Sequence, residues 1–342
     1  MSNQHFRPLD SSPSWKMTQF IWGVIPVQAI SVAANLGIAD LVAEEPKTAE
    51  ELARTTNTDA SALQRLLRML TSLAIFAEDA AGRFLNTSLS ETLRRDHPDS
   101  VRALAVLWGA PFFWRPWGEL GAAVATGLPV FDRVYQQSFF DYLIRHPADS
   151  SVFNAAMTEV SSVDISAVLD AYEFSGFKRL VDVGGGHGAL LQGILSANSH
   201  LQGVLYDLPG VIADAEKLRS GKVAARCEIL AGNFFESVPS GADLYVLKRI
   251  IHDWSDDSAL TILANCRRAI SSEGKLLLVE WVLKPPNEPD LGKFTDLNML
   301  VLLGGRERTE SDFRALLRKA GFSLSRVIPT AGPHSIIESE PV

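Results

Sequence analysis

From about residue 175 the chain changes texture, and that change constrains its fold more than any other feature. "KRLVDVGGG", "LQGVLYDLP", "CEILAGN", "ADLYVLKR" and "GKLLLVEWVL" are short, continuous apolar runs, and helical stretches separate most of them. A strand without polar alternation has no face to offer to water, so it must be covered on both sides. Such strands alternating with helices predict a parallel sheet between two helical layers, an α/β fold. The last runs, "SLSRVIPTA" and "SIIESEP", have only a tight "GPH" link between them, which predicts an antiparallel pair.

Residues 1–165 read instead as mostly helical. "DASALQRLLRMLTSL" places Leu63, Leu66, Leu67 and Leu70 on one helical face, with Asp59 or Ser61 available as N-cap. The short amphipathic helix "KTAEELARTT", with Thr48 as its cap, precedes it, and "IFAEDAAGRFLNT" follows as two short strands about a turn at Gly82. Helix, helix and hairpin over about 30–95 make a winged-helix outline. That outline serves DNA binding or dimerisation. A DNA-reading helix is studded with Lys and Arg, whereas this one carries Arg65 and Arg68 among leucines. The net charge of -8 and pI of about 5.4 also oppose attraction to nucleic acid or anionic lipid. The reading is a dimerisation module, and no nucleic-acid partner is expected.

At 342 residues the chain is long enough for two domains: a helical dimerisation and substrate-lid domain, 1–165, and a ligand-binding catalytic domain, 166–342. The apolar stretch 20–42 contains Pro26, Gln28, Asn35 and Asp40, too much polarity for a membrane span. It suits a helix pressed on a partner subunit. The N-terminus lacks the pattern of a signal peptide, and two cysteines, Cys227 and Cys266, make no disulfide framework; a cytoplasmic protein is expected. "LWGAPFFWRPWGEL" is dense in aromatics, as core or as a wall over an aromatic ligand. "SFFDYLIRHPADSSVFNAAMTEVSS" looks like two helices split near Pro147, with Phe153 and Met157 four apart on one face.

"LVDVGGGHGALLQGIL" is strand, glycine turn, helix. Gly184, Gly186 and Gly188 allow a tight turn and close backbone approach to a ligand, and the helix start offers free N–H groups. The next strand ends at Asp207, where a carboxylate can accept both hydroxyls of a ribose. A nucleoside-type ligand follows. Gly184, Gly186 and Ala189 fit the dinucleotide pattern; Asp182, Gly184, Gly186 and Gly188 fit acid-x-G-x-G-x-G, which suits S-adenosylmethionine. Spacing alone does not separate an NAD-dependent oxidoreductase from a methyltransferase. No cluster of residues suggests that a metal is needed.

At "DVGGGHG", "YDLPGVI", "GNFFESVP", "LKRIIHDWSDD", "LLLVEWVL" and "DLNMLVLLGGRERT" the sequence resembles the S-adenosylmethionine-dependent small-molecule O-methyltransferases, the plant caffeic acid and isoflavone enzymes and their bacterial natural-product relatives. The resemblance covers nearly the whole chain. It implies a class I, Rossmann-like methyltransferase sheet with its antiparallel C-terminal pair, behind a winged-helix-like domain that makes a homodimer. It implies that Asp182, Gly184, Gly186 and Lys248 contact the cofactor, that Asp207 holds its ribose, and that Leu208, Asn233 and Phe234 line its adenine. His252 would be the general base, flanked by Glu280 and Glu307. Phe153, Met157, Trp254 and Met299 would line the pocket of a small aromatic acceptor, and S-adenosylhomocysteine would be the by-product. The family usually has Asp where this chain has Asn233, whose amide can bond adenine without supplying charge. Leu302 and Leu303 replace a polar stretch of the plant enzymes, and the bulky Trp281 follows Glu280.

The chemistry is that of an activated methyl meeting a hydroxyl that must lose its proton. Complete proton transfer from a free phenol, pKa about 10, to a free imidazole, about 6.5, costs roughly 5 kcal/mol. A sulfonium cation lowers the first value and a carboxylate raises the second, so both close the gap. A phenol or enol is therefore a better acceptor than an aliphatic alcohol. Alignment of oxygen and methyl supplies up to about 7–11 kcal/mol more. The competing readings are the same scaffold running a non-methylating reaction with the bound cofactor, an NAD-dependent oxidoreductase, and a DNA-binding dimer.

Overall fold

The computed structural model describes residues 12–342 apart from Asp214. The chain forms two compact units: residues up to Arg115 with His146–Val160, and Pro116–Arg145 with Ser161–Val342.

The first unit is built from short capped helices. Helix Ala49–Thr56 begins at Thr48, whose hydroxyl accepts the Glu51 N–H while the Glu51 carboxylate accepts the Thr48 N–H. Two of the helix's orphan donors are thereby satisfied. Asp59, rather than Ser61, caps helix Ala60–Ser72, accepting the Ala62 N–H at 2.7 Å. Strands β1 (Phe76–Glu78) and β2 (Phe84–Asn86) follow as an antiparallel pair about Gly82, the expected wing. Leu52, Leu63, Leu67, Leu70, Phe76 and Phe84 meet in its core. The apolar stretch near the N-terminus is two helices, Pro13–Ile21 and Val24–Leu36. Val24–Leu36 buries Ala29, Ser31, Ala33 and Ala34. It packs on helix Arg102–Gly109 so closely that a Cβ on Gly109 would overlap the Ser31 side chain. Met17, Phe20, Ile21, Trp22, Val24 and Ile25 are left exposed in a row.

The second unit holds a seven-stranded sheet. Its strands are β3 (Arg179–Val183), β4 (Gln202–Asp207), β5 (Cys227–Ala231), β6 (Leu244–Lys248), β7 (Lys275–Glu280), β8 (Phe322–Pro329) and β9 (Ser335–Pro341), in the order β5-β4-β3-β6-β7-β9-β8. The first five are parallel; β9 pairs antiparallel with both β7 and β8. β3, β4, β6 and β7 are buried on both faces, by Ile262, Leu263, Phe313 and Leu317 on one side and by Leu190, Leu191, Ile194 and Val168 on the other, while the edge strand β5 is only partly buried. The order reverses between β3 and β6. At such a switch point the loops leaving two neighbouring strands part and open a crevice at their carboxyl ends. Helix Phe139–Arg145 ends and helix Pro147–Ala171 starts around His146, the break expected from Pro147. Cys266 is buried and Cys227, opening β5, is half-buried.

Candidate active site

The residues expected to bind a nucleoside gather at the carboxyl ends of β3, β4 and β6. Gly184, Gly186 and Gly188 have φ of +69°, +61° and +79°, values open to glycine and costly for other residues. A Cβ on Gly184 would lie 2.6 Å from Ile250 Cδ1, so that position also needs a bare backbone; at Gly186 a Cβ would meet nothing within 4 Å. Gly186 thus faces open space, and its N–H donates to Asp207 Oδ2 at 2.8 Å. The other Asp207 oxygen accepts the Leu208 N–H at 2.7 Å. Burial raises the Asp207 pKa, and these two backbone donors work against the rise. Leu208 is exposed beside it. Phe234 turns its ring toward Gly184 and lies 5.0 Å from the Phe235 ring. Asn233 is turned into its own loop, its Oδ1 accepting the Phe235 N–H at 3.0 Å.

Asp182 lies beneath the glycine loop, fully buried, and its Oδ2 has no hydrogen-bond partner. Burial pushes its pKa up to about 7, while the Lys248 charge pulls the other way. Lys248, the last residue of β6, donates from Nζ to Ser161 Oγ at 2.8 Å. Burial, together with the charge of Arg249, pushes its ammonium down to about 8.

Three residues beyond β6, the turn Ile251–Asp253 carries His252, which is buried. Its Nδ1 is 2.8 Å from Glu307 Oε1 and 3.9 Å from Glu280 Oε2, and its Nε2 is 3.3 Å from Asp253 Oδ1. When Glu307 is ionised it accepts and cannot donate, and the short contact then places the proton on Nδ1. An imidazole with acids along both edges is an environment that stabilises the imidazolium formed when it takes a proton. Glu280, the last residue of β7, has a second task. Its Oε1 accepts the Ile250 and Ile251 N–H groups at 3.0 and 2.8 Å and so fixes the turn that bears His252. Burial raises the pKa of Glu280, pushes Glu307 up to about 8, and pushes Asp253 up to about 6.

Glu307 reaches the imidazole because residues 304–308 run alongside it. The Arg306 N–H donates to the His252 carbonyl at 2.9 Å, and a Cβ on Gly305 would overlap that same carbonyl. Val282 bridges to Arg308, and the Leu283 N–H donates to the Arg308 carbonyl, which lays the segment beside the extension of β7. The glycine pair of "GGRERT" is therefore needed for this close approach. His252, Glu280 and Glu307 offer ligand atoms within 4.8 Å of one another, and the 2.8 Å hydrogen bond already engages Nδ1.

Sequence reasoning missed four contributors. Asp253 stands in an acidic run that suits the start of helix Asp256–Ala269; Ser255 caps that helix, and Asp253 instead faces His252. Arg308 follows Glu307 directly in the sequence. It is buried and holds the Ile251 and Trp254 carbonyls at either end of the His252 turn, along with Asp256. Arg249 has φ of +55° and a buried, unpartnered Nε, close enough to oppose the rise in Glu307. His334, bonded to Asp164, is the fourth. Of these, only the "ERT" adjacency of Arg308 to Glu307 was visible as a pattern.

Trp254 packs at this edge, stacked on Phe140 at 6.1 Å and edge-on to Phe235 at 4.7 Å. Met299 is buried in helix Gly292–Leu302. Phe153 and Met157 belong to the first unit. In the aromatic stretch around residue 110, Phe112 and Phe113 are buried and Trp108 meets Phe113 edge-on, the core reading for these three.

Comparison with known proteins agrees with this geometry. A model of the O-methyltransferase domain matches residues 117–323, and one of the O-methyltransferase dimerisation domain matches residues 18–96. The phenazine O-methyltransferase of Lysobacter antibioticus is 43% identical over 95% of this chain and 96% of its own. A phenazine-1-carboxylate N-methyltransferase of Pseudomonas aeruginosa is 31% identical over 91% and 92%. An O-methyltransferase of neocarzinostatin biosynthesis, solved with S-adenosylmethionine and 2-hydroxy-5-methyl naphthoic acid, superposes with a TM-score of 0.83 at 32% identity, covering 93% of this chain and 96% of that one. The chain belongs to the S-adenosylmethionine-dependent O-methyltransferase family.

Proposed function

We propose that this methyltransferase uses S-adenosylmethionine to methylate a phenolic or enolic hydroxyl of a small aromatic or polyketide-like molecule, with His252 as general base. The observation that carries the reading is the 2.8 Å bond from buried His252 to Glu307 at the sheet edge that also bears Gly186 and Asp207. The glycine-lined opening and the outward carboxylate of Asp207 fit the cofactor's nucleoside. Asp207 would accept the ribose hydroxyls, Leu208 and Phe234 would flank the adenine with Asn233 near it, and Asp182, Gly184 and Lys248 would serve the methionine part. The bound cofactor supplies an activated methyl group and is released as S-adenosylhomocysteine.

The chain's own residues supply the proton transfer. His252 takes the hydroxyl proton at Nε2, the edge opposite Glu307. Glu307 stabilises the resulting imidazolium, and Glu280 keeps the turn in place through two backbone N–H groups. Trp254 and Met299 would wall the acceptor. The exposed row Met17, Phe20, Ile21, Trp22, Val24 and Ile25 suits a homodimer contact, in keeping with the dimerisation domain of this region. Some relatives methylate nitrogen; a neutral amine attacks with its own lone pair, so an imidazole held between carboxylates favours oxygen here.

The test is incubation of the purified protein with S-adenosylmethionine and a panel of hydroxylated aromatics, read by mass spectrometry. The expected outcome is a gain of one methyl mass on at least one phenol. Consumption of substrate without that gain would establish a non-methylating reaction instead.

A further inference from the structure

A second imidazole–carboxylate pair lies at the same sheet edge, and nothing above uses it. His334 Nδ1 is 2.7 Å from Asp164 Oδ1, and both residues are buried, 3% and 1% exposed. His334 Nε2, on the far edge of the ring, has no hydrogen-bond partner. The register explains where it sits. Ser335 pairs with Glu280, so His334 stands at the carboxyl end of β7, next to Glu280 and Trp281. Its ring meets Trp281 edge-on at 5.1 Å between centroids.

The tautomer follows from the partner. Asp164 accepts, so Nδ1 carries the proton and Nε2 keeps its lone pair. Burial depresses the His334 pKa as the largest cause, against Asp164, so the neutral ring is the favoured form. A buried acceptor without a partner is costly, and native structures keep such an atom where water or a ligand completes it. Among the described residues, Asp164, Asp182, Arg249, Glu280 and Glu307 also have buried polar atoms without partners. They share this end of the sheet or pack against it.

We propose that His334, oriented by Asp164, is an acceptor-binding residue whose Nε2 takes a hydrogen bond from a second hydroxyl or N–H on the aromatic acceptor, away from the oxygen that is methylated. The proposal rests on the reading that the acceptor is aromatic. It assigns specificity: acceptors with a second donor are favoured over those without one.

The test uses the intact protein saturated with S-adenosylhomocysteine. Calorimetry measures binding of the isomeric dihydroxynaphthalenes and of the two naphthols, which lack the second hydroxyl. At least one dihydroxynaphthalene is expected to bind ~10-fold or more tightly than the corresponding naphthol, the discrimination of a buried hydrogen bond. In His334→Phe, which keeps an aromatic ring there, the preference is expected to fall to within ~2-fold with S-adenosylhomocysteine affinity unchanged. Asp164→Asn, which no longer dictates the tautomer, serves if the Phe variant does not fold, and its preference is expected to narrow as well. No preference in the wild type, no binding of any probe, or a preference that survives substitution would overturn the proposal. Preferential binding, with no methylated product when S-adenosylmethionine replaces S-adenosylhomocysteine, would strike the function proposed above and leave this one standing.

Discussion

The proposed nucleoside edge and the proposed base cluster sit at the ends of neighbouring strands and are built by opposite means. At the nucleoside edge the working groups are backbone: Gly186 N–H and Leu208 N–H hold Asp207, and all three lie within one strand–loop–helix–strand stretch. The carboxylate remains able to meet a large polar ligand. At the base cluster the working groups are side chains. His252 meets Glu307 from 55 positions away and Glu280 from the next strand, and all three are buried. Gripping a nucleoside needs only a local turn with free N–H groups. Moving a proton needs several ionisable groups kept dry and in register, which no single segment supplies.

The contrast is testable. His252→Ala should give the largest effect, a loss of ~10³-fold in kcat with cofactor affinity within ~2-fold. Single-turnover kinetics and calorimetry read the two halves separately, and a parallel fall in cofactor affinity would show that the edges are not independent. Arg308→Met should follow. The methionine fills the stem's space but abandons the Ile251 and Trp254 carbonyls that the guanidinium holds at 2.9 and 3.1 Å. We expect kcat to fall by ~10–100-fold and stability by about 3 kcal/mol, from urea unfolding. Arg308→Lys should recover only part of this, because a single ammonium does not span the fork.

The same contrast explains what the sequence disclosed. The glycine loop, Asp207 at its strand end and the antiparallel C-terminal pair were legible because each is written in consecutive residues: an apolar run, a turn, a tight link. His252 and Glu280 were legible only through motif resemblance, aided by their places just past strand ends. Asp253 looked like a helix-capping residue, since Asp-x-Ser-Asp-Asp before an apolar run satisfies that pattern equally well. Arg249 and His334 carried no signal. A lone arginine after a strand and a histidine in a hairpin turn acquire meaning only when the sheet brings β6, β7 and β9 together. Their roles live in tertiary contacts that no local period records.

Asp207→Ala should act on binding alone. Removing the acceptor of the ribose hydroxyls is expected to raise the KM for S-adenosylmethionine by ~30–100-fold while kcat at saturation stays within ~3-fold. Asp207→Asn keeps one acceptor for the Gly186 N–H and should fall between. A large loss of kcat in either variant would mean that the nucleoside edge also sets the alignment of the methyl group.

The most discriminating test concerns pH. Asp182 titrates near pH 3.8 when unfolded and at about 7 when folded, because burial penalises its charge. The folded state therefore holds this proton more tightly. Its contribution is complete below about pH 4 and is lost as pH rises through 7, amounting to at most about 4 kcal/mol. Glu307, pushed up to about 8, runs in the same direction over a slightly higher window. Lys248, pushed down to about 8, runs the other way: its stabilising share is lost as pH falls through 8. Urea unfolding at pH 5 and pH 8 should show wild type weakening between the two. Asp182→Asn, isosteric and without charge, should weaken less across the lower part of that window, and Glu307→Gln less across the upper part. If the Asp182 variant keeps the full wild-type slope, the nucleoside edge carries no buried charge, and the ionic strain of this site belongs to the base cluster alone.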